Sequence, residues 1–188
     1  MDYKRFVLGE LFCGPGGLAF GASLAEQQIS KNNQIFSISH LWGVDSDKDA
    51  IETYKKNIAV EPHTRGYCMD AIEFCENELC FHPNNQINAL AFGFPCNDFS
   101  LVKKKNGIKG KYGALYKAGI EAIKECNPDW FIAENVSGIR SSDSGKAFDL
   151  ILKELSVSGK FGYELTTHLY KFEQYGVPQY RHRYIIVG

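Results

Sequence analysis

Apolar and polar positions along this chain alternate between short apolar runs and longer amphipathic stretches. FVLGELF (6–12) reads as a strand, Gly17 to Gln28 as a helix, IFSISHLWGVD (35–45) as a strand and Asp47 to Ile58 as a helix. The pattern continues with INALAFGF (87–94) as a strand, Tyr112 to Cys126 as a helix and DWFIAENV (129–136) as a strand. A helix over Lys146 to Leu155 then precedes two more strand-like segments, YELTTHLYKF (163–172) and RYIIVG (183–188). Strands separated by helices of this length imply right-handed parallel crossovers, and buried parallel strands read as continuous apolar runs. The expected fold class is α/β, a doubly wound, mostly parallel sheet of the Rossmann-like kind. Ligands of such sheets sit at the carboxyl ends of the strands, so the residues just after each strand carry the functional information.

Composition narrows the setting. The 188 residues are 44% hydrophobic and 13% aromatic, enough for one core of ordinary size. No repeat, low-complexity tract or Pro/Ser-rich linker divides them, so a single domain over 1–188 is expected. Lys plus Arg total 21 against 22 for Asp plus Glu, so a nucleic-acid partner has to be sought in local clusters and not in a global field. The N-terminus has no cleavable leader pattern and no window is apolar enough to span a membrane, which reads as a soluble, intracellular protein. Six cysteines at irregular spacing, without a CxxC pair, fit neither a zinc ribbon nor a disulfide framework.

The first strand runs into Glu10-Leu11-Phe12-Cys13-Gly14-Pro15-Gly16-Gly17 and then into a helix. Glycines there leave backbone room for a ligand, and a helix N-terminus offers N–H groups. The spacing is neither G-x-G-x-x-G nor a Walker loop, which favours an adenosine-bearing ligand without a pyrophosphate. S-adenosylmethionine fits. Asp45, after the second strand, stands where ribose hydroxyls would lie, or else caps the helix that begins near Asp47. Asp70 is either a partner for the adenine amino group or an ordinary polar residue.

Cys96 follows Pro95 at the end of the strand over 87–94, where the fixed φ of proline presents it to the cleft. Cys68, Cys75, Cys80 and Cys126 read as small buried apolar residues, and Cys13 as packing within the glycine loop. The next strand ends in Glu134-Asn135-Val136, which brings a carboxyl group to the edge that carries the thiol. A nucleophile and an acid beside an adenosine-cofactor loop suggest covalent catalysis coupled to proton transfer.

These segments, FCGPGG, GFPCNDFS, Glu134-Asn135-Val136 and Gln179-Tyr180-Arg181-His182-Arg183, stand in the order of the C5-cytosine DNA methyltransferases, and the chain resembles that family from Leu11 to Val187. The resemblance implies that Phe12, Gly14, Gly16 and Asp45, with Asp70 and Leu115, bind S-adenosylmethionine. It implies that Cys96 is the nucleophile, that Glu134 and Arg183 act on the target cytosine, and that Pro95, Ser100 and Arg181 contact substrate. The target carbon is unreachable in a stacked duplex, so double-stranded DNA would have its base flipped into the pocket. Lys103, Lys104, Lys105, Lys109, Lys111 and Lys117, with Gly107, Gly110 and Gly113, suit a loop that closes over phosphates. Phe94 replaces the family's commoner Pro, Asn97 its commoner Gln, and Ser46 lacks the bulky group often stacked on adenine. Family members continue into a target-recognition domain, so a C-terminal region or a second polypeptide is the expected partner. A silent cofactor-binding subunit and an RNA cytosine methyltransferase are the other two readings.

Overall fold

A computed structural model describes residues 4–30, 36–79, 86–95, 115–140 and 145–188. The elements in chain order are β1 (Lys4–Leu11), α1 (Gly17–Ser30), β2 (Phe36–Asp45), α2 (Lys48–Asn57), β3 (Arg65–Cys68), α3 (Ala71–Phe74), a π-helical turn (Cys75–Leu79), β4 (Ala89–Gly93), α4 (Leu115–Cys126), β5 (Trp130–Val136), α5 (Lys146–Ser156), β6 (Thr166–Lys171) and β7 (His182–Val187). The seven strands form one sheet in the order β3-β2-β1-β4-β5-β7-β6. β1 pairs in parallel with β2 and β4, β2 with β3, and β4 with β5. β7 then enters antiparallel between β5 and β6. The chain therefore winds outward from β1 to β3, returns to the other side of β1 at β4, and winds outward again. The reversal lies between β1 and β4, where loops leaving neighbouring strands diverge and open a crevice.

Side-chain alternation distributes the core over both faces. On one face Leu11, Trp42, Val44, Phe92 and Phe131 pack with Phe74, Tyr116, Ile123 and Ile151 of the covering helices, all buried. On the other, Leu8, Ala89 and Ala91 meet Leu18 and Ala22 of α1, while Ile51 and Tyr54 of α2 pack with Ala19. Two glycines permit the closest approaches. A Cβ on Gly9 would stand 2.3 Å from the Trp42 ring, and one on Gly43 would stand 2.4 Å from the Tyr54 ring. Leu41 is an extra residue in β2, between the Leu8–His40 and Gly9–Trp42 pairs, and this bulge sets Trp42 over Gly9.

The doubly wound α/β expectation is met, with differences that have local causes. β3 and α3 carry no apolar run long enough to announce them, since β3 is four residues long and only half-buried at Gly66 and Tyr67. The last two strands pair antiparallel, because only a single 3-10 turn, Phe172–Tyr175, lies between β6 and β7, too short a connection to carry the chain back for a parallel crossover. Cys75 and Cys126 are buried as expected, but Cys68 is exposed at the end of the edge strand β3. Cys80 lies outside the described residues. Among the described residues, no helix is long and apolar enough to cross a membrane.

Candidate functional site

The loop after β1 is shaped by three left-handed residues, Phe12 (φ 55°), Gly14 (φ 52°) and Gly16 (φ 98°). Such angles are costly for Phe12 and natural for the glycines. The two glycines serve different ends. A Cβ on Gly16 would meet Ile58 at 2.6 Å and Tyr54 at 3.1 Å, so Gly16 lets the loop settle on α2. A Cβ on Gly14 or Gly17 would meet nothing within 4 Å, which leaves open space at the surface expected to hold a ligand.

Asp45 ends β2 and ties this loop to its neighbour. Its Oδ2 accepts from the Gly14 amide at 2.8 Å and its Oδ1 from the Asp47 amide at 2.9 Å. The cap of α2 is Asp47, whose carboxylate accepts from the Asp49 and Ala50 amides. Asp45 is thus freed from capping, and each of its oxygens retains acceptor capacity for a hydroxyl. Asp70 does cap a helix: its Oδ1 accepts from the Ile72 and Glu73 amides at 2.8 and 3.3 Å, and the side chain is otherwise exposed. Leu115 opens α4 half-buried, next to Tyr116, whose ring packs on Phe94 at 6.2 Å. That places Leu115 near the end of β4, and no bond ties it to the glycine loop.

At the other side of the crevice, β4 ends at Gly93 and leads through buried Phe94 to half-buried Pro95. Asn135, 1% exposed, donates from Nδ2 to the Phe94 carbonyl at 2.9 Å and accepts the Val136 amide at Oδ1 at 2.8 Å. The backbone two residues before Cys96 is therefore held from β5. Cys96 and Ser100 themselves lie outside the described residues, as do Lys103, Lys104, Lys105, Lys109 and Lys111; Lys117 is exposed on α4.

Glu134 and Arg183 meet on adjacent strands. Val136 is paired with Arg183 in the β5–β7 ladder, and Arg183 Nε donates to Glu134 Oε1 across the diagonal at 2.7 Å. Both side chains are largely withdrawn from solvent, at 17% exposure for Arg183 and 22% for Glu134. Glu134 Oε2 lies over Gly93, 3.3 Å from where a Cβ would stand, so the carboxyl group sits beside the start of the Phe94–Pro95 turn. The Arg183 head also donates from Nη1 to the His182 carbonyl at 2.9 Å. Just before it, His182 pairs with Glu173 at 2.7 Å, which fastens the connection from β6 to the start of β7. Arg181 has an exposed side chain, and its carbonyl accepts from Phe172.

Two further residues belong to this neighbourhood, and the motif reading left them without a role. Asn135 is one. The other is Glu10, an acid only 2% exposed within the apolar strand that feeds the loop; burial pushes its carboxyl up to about 8. Burial likewise pushes the Cys13 thiol and the Tyr54 hydroxyl up, so both stay protonated, with Glu10 adding to each effect. An acid amid Val7, Leu8 and Leu11 was the available signal for Glu10.

Comparison with known proteins agrees with this geometry. The family model for C-5 cytosine-specific DNA methylase matches residues 6–188. The type II methyltransferase M.BbvI of Brevibacillus brevis is 48% identical over 98% of the chain and 49% of its own length. M1.ScrFI of Lactococcus lactis subsp. cremoris is 35% identical over 98% of the chain and 41% of its own. The chain thus spans about half the length of the curated relatives it matches. Among solved structures, the Dnmt2 methyltransferase of S. pombe superposes with a TM-score of 0.65 at 19% identity, covering 98% of this chain and 49% of that one, a likeness of fold. A crevice between β1 and β4 carrying a glycine loop on one side and a Glu–Arg pair on the other, with a family match across 6–188, places this chain in the C-5 cytosine-specific DNA methylase family.

Proposed function

We propose that these 188 residues form one catalytic and cofactor-binding domain that transfers a methyl group from S-adenosylmethionine to C5 of a flipped cytosine in double-stranded DNA. The observation that carries the reading is the Glu134–Arg183 pair, set beside the Phe94–Pro95 turn that Asn135 holds. When bound, S-adenosylmethionine supplies an electrophilic methyl group on a sulfonium centre. The loop fits such a ligand: the Cβ directions of Gly14 and Gly17 are open, and Asp45 is oriented by two backbone amides with lone pairs to spare for ribose hydroxyls. Phe12, Gly14 and Asp45 hold the cofactor. Gly16 acts by seating the loop on α2. Asp70 and Leu115 flank the adenosine end.

Cytosine C5 is a weak nucleophile, so the Cys96 thiolate first adds to C6, and the C5–C6 π pair becomes available at C5. Charge that would collect on N3 is met by a proton from Glu134, and Arg183 orients Glu134 while facing O2 of the base. C5 takes the methyl group, whose bond to sulfur breaks to leave a neutral thioether; C5 then loses its proton to a base, N3 returns its proton to Glu134, and the C6–S bond breaks to restore the ring and the thiolate. A free thiol of pKa about 8.5 is only a few per cent thiolate at neutral pH, so the pocket has to favour its ionisation. Reading of the target sequence is assigned to a C-terminal region or second polypeptide, consistent with relatives about twice as long. Lysine contacts to phosphate carry affinity without sequence information.

The test is covalent trapping. With S-adenosylmethionine and the recognition region supplied, the native chain should form a denaturant-stable adduct with duplex DNA containing 5-fluorocytosine, because fluorine at C5 blocks the final proton loss. Cys96→Ser should give none, and a structured RNA carrying the same base should trap far less. A stable adduct with the serine variant would sink the assignment of Cys96, and equal trapping on RNA would sink the assignment of DNA.

A further inference from the structure

Glu10 lies under the glycine loop with an incomplete set of partners. β1 directs it to the face covered by α1, where it accepts a hydrogen bond from the backbone amide of Ala19 in the first turn of the helix. Its other oxygen, Oε2, is fully buried and has no hydrogen-bond partner. Asp45 of β2 is the side chain whose charge acts on it, and Glu10 in turn acts on two other ionisable neighbours, Cys13 of the loop and Tyr54 of α2. Asp45 is the charged member of this set, and its charge has the same sign as an ionised Glu10. A carboxylate with one N–H donor, one bare oxygen and a second carboxylate for company is poorly solvated, so in the ligand-free chain Glu10 is a neutral acid.

Asp45 also holds the Gly14 amide at 2.8 Å, so the loop that is to receive the cofactor and the carboxyl group beneath it share one neighbour. S-adenosylmethionine carries two cationic centres, a sulfonium and an ammonium, and one carboxylate, a net positive charge. A cation held by this loop attracts the ionised form of Glu10 and offsets the repulsion from Asp45.

We propose that Glu10 is the proton-exchanging acid of the cofactor loop, neutral when the loop is empty and ionised when S-adenosylmethionine is held, so that binding releases one proton to solvent. The inference rests on the reading of the loop as the cofactor site. The balance is simple: the O–H bond of the Glu10 carboxyl breaks, its electron pair stays on the carboxylate, and the proton passes to buffer. The charge left on Glu10 is then opposite in sign to the net charge of the ligand. The ammonium group and Glu10 need not touch, since Coulomb attraction through a buried medium extends beyond contact.

Calorimetry at pH 6.5 separates the possibilities, because the cofactor's own amino group, with a pKa near 8, is still protonated there. Titrating S-adenosylmethionine into the native chain in buffers of different ionisation enthalpy should report release of close to one proton per site. Glu10→Gln, which keeps the shape of the neutral acid, should bind with heat independent of buffer. Linkage makes the native affinity rise about tenfold per pH unit from pH 6 to 7, while the Gln variant stays flat. A second readout needs neither variant nor ligand: the side-chain carboxyl 13C resonance of Glu10 in the ligand-free chain should titrate near pH 8. Saturable binding without buffer-dependent heat, or a ligand-free midpoint near the ordinary 4.5, overturns the proton exchange and leaves the cofactor site standing. Absence of saturable binding in the native chain overturns both.

Discussion

Replacing Asn135 tests whether the sheet holds the turn that presents the expected nucleophile. Asn135 is 1% exposed and makes two bonds, from Nδ2 to the Phe94 carbonyl at 2.9 Å and from the Val136 amide to Oδ1 at 2.8 Å. Val136 stands at the exposed end of β5, so its freed amide can turn to water at little cost. The Phe94 carbonyl belongs to a buried residue and loses its partner, which costs about 1–3 kcal/mol. Loss of the buried side-chain volume adds about 1 kcal/mol, so Asn135→Ala should destabilise the chain by about 2–4 kcal/mol. Urea unfolding followed by the fluorescence of Trp42 and Trp130, one fully buried and one half-buried in the sheet, measures this directly. With a slope of about 2 kcal/mol per molar urea, the midpoint should fall by about 1–2 M. Asn135→Asp keeps the acceptor for Val136 but sets a buried carboxylate against the Phe94 carbonyl, so it should be worse at pH 7 and partly recover in acid, where the carboxyl can donate. Under conditions where Asn135→Ala remains folded, trapping by Cys96 should drop more than the folded fraction does. An unfolding midpoint for Asn135→Ala within error of native would refute the reasoning, since the bond to Phe94 would then contribute nothing.

The glycines of the crevice should separate by role. Gly43→Ala drives a Cβ to 2.4 Å from the buried Tyr54 ring and should cost more than 2 kcal/mol, whereas Gly14→Ala meets no atom and should cost about 1 kcal/mol of backbone strain while weakening cofactor binding. Equal losses of stability in the two variants, read from urea midpoints, would remove that distinction. Glu10 should also leave a mark on stability. Its carboxyl lies near 8 when folded and near 4.5 otherwise, so the folded state holds the extra proton between those values. That contribution is complete below about pH 4.5 and is lost as pH rises toward 8, at up to about 1.4 kcal/mol per unit. Native stability measured against Glu10→Gln should therefore decline from pH 5 to pH 8, and a constant difference across that range would contradict a buried neutral acid.

How much of this was legible in the sequence follows from burial. β1, β2, β4 and β5 read as apolar runs because parallel strands covered on both faces have no polar side to show. β3 is short, half-exposed and at the sheet edge, so its residues Arg65 to Cys68 obey no such constraint, and the exposure of Cys68 follows from the same position. Asp45 and Asp47 are two residues apart and chemically identical, and only the path of the chain decides which one caps α2 and which one holds Gly14. Asp70 caps α3 through two amide bonds, a role no pattern in the sequence assigned because α3 is too short to announce itself. The Glu134–Arg183 pair depends on β7 lying beside β5, a neighbour relation between distant segments that no local pattern encodes; the order of motifs brought the two residues together before the ladder did. Asn135 was visible only as the middle of a three-residue signature, because its partner is a backbone carbonyl 41 residues earlier.

The sheet order has one more consequence. The strands that carry the glycine loop and Asp45, and the strands that carry Pro95, Glu134 and Arg183, are joined within the sheet by a single ladder of four residue pairs, from Leu8–Ala89 to Leu11–Phe92. That seam works as a ruler. In the proposed reaction the span between methyl donor and acceptor base is set in part by backbone hydrogen bonds inside a buried sheet. A change anywhere along Leu8, Gly9, Glu10 and Leu11 that slipped the seam by one step would offset the two halves of the crevice by about 3.3 Å, as far as a bond-forming approach, while leaving every residue of both halves intact.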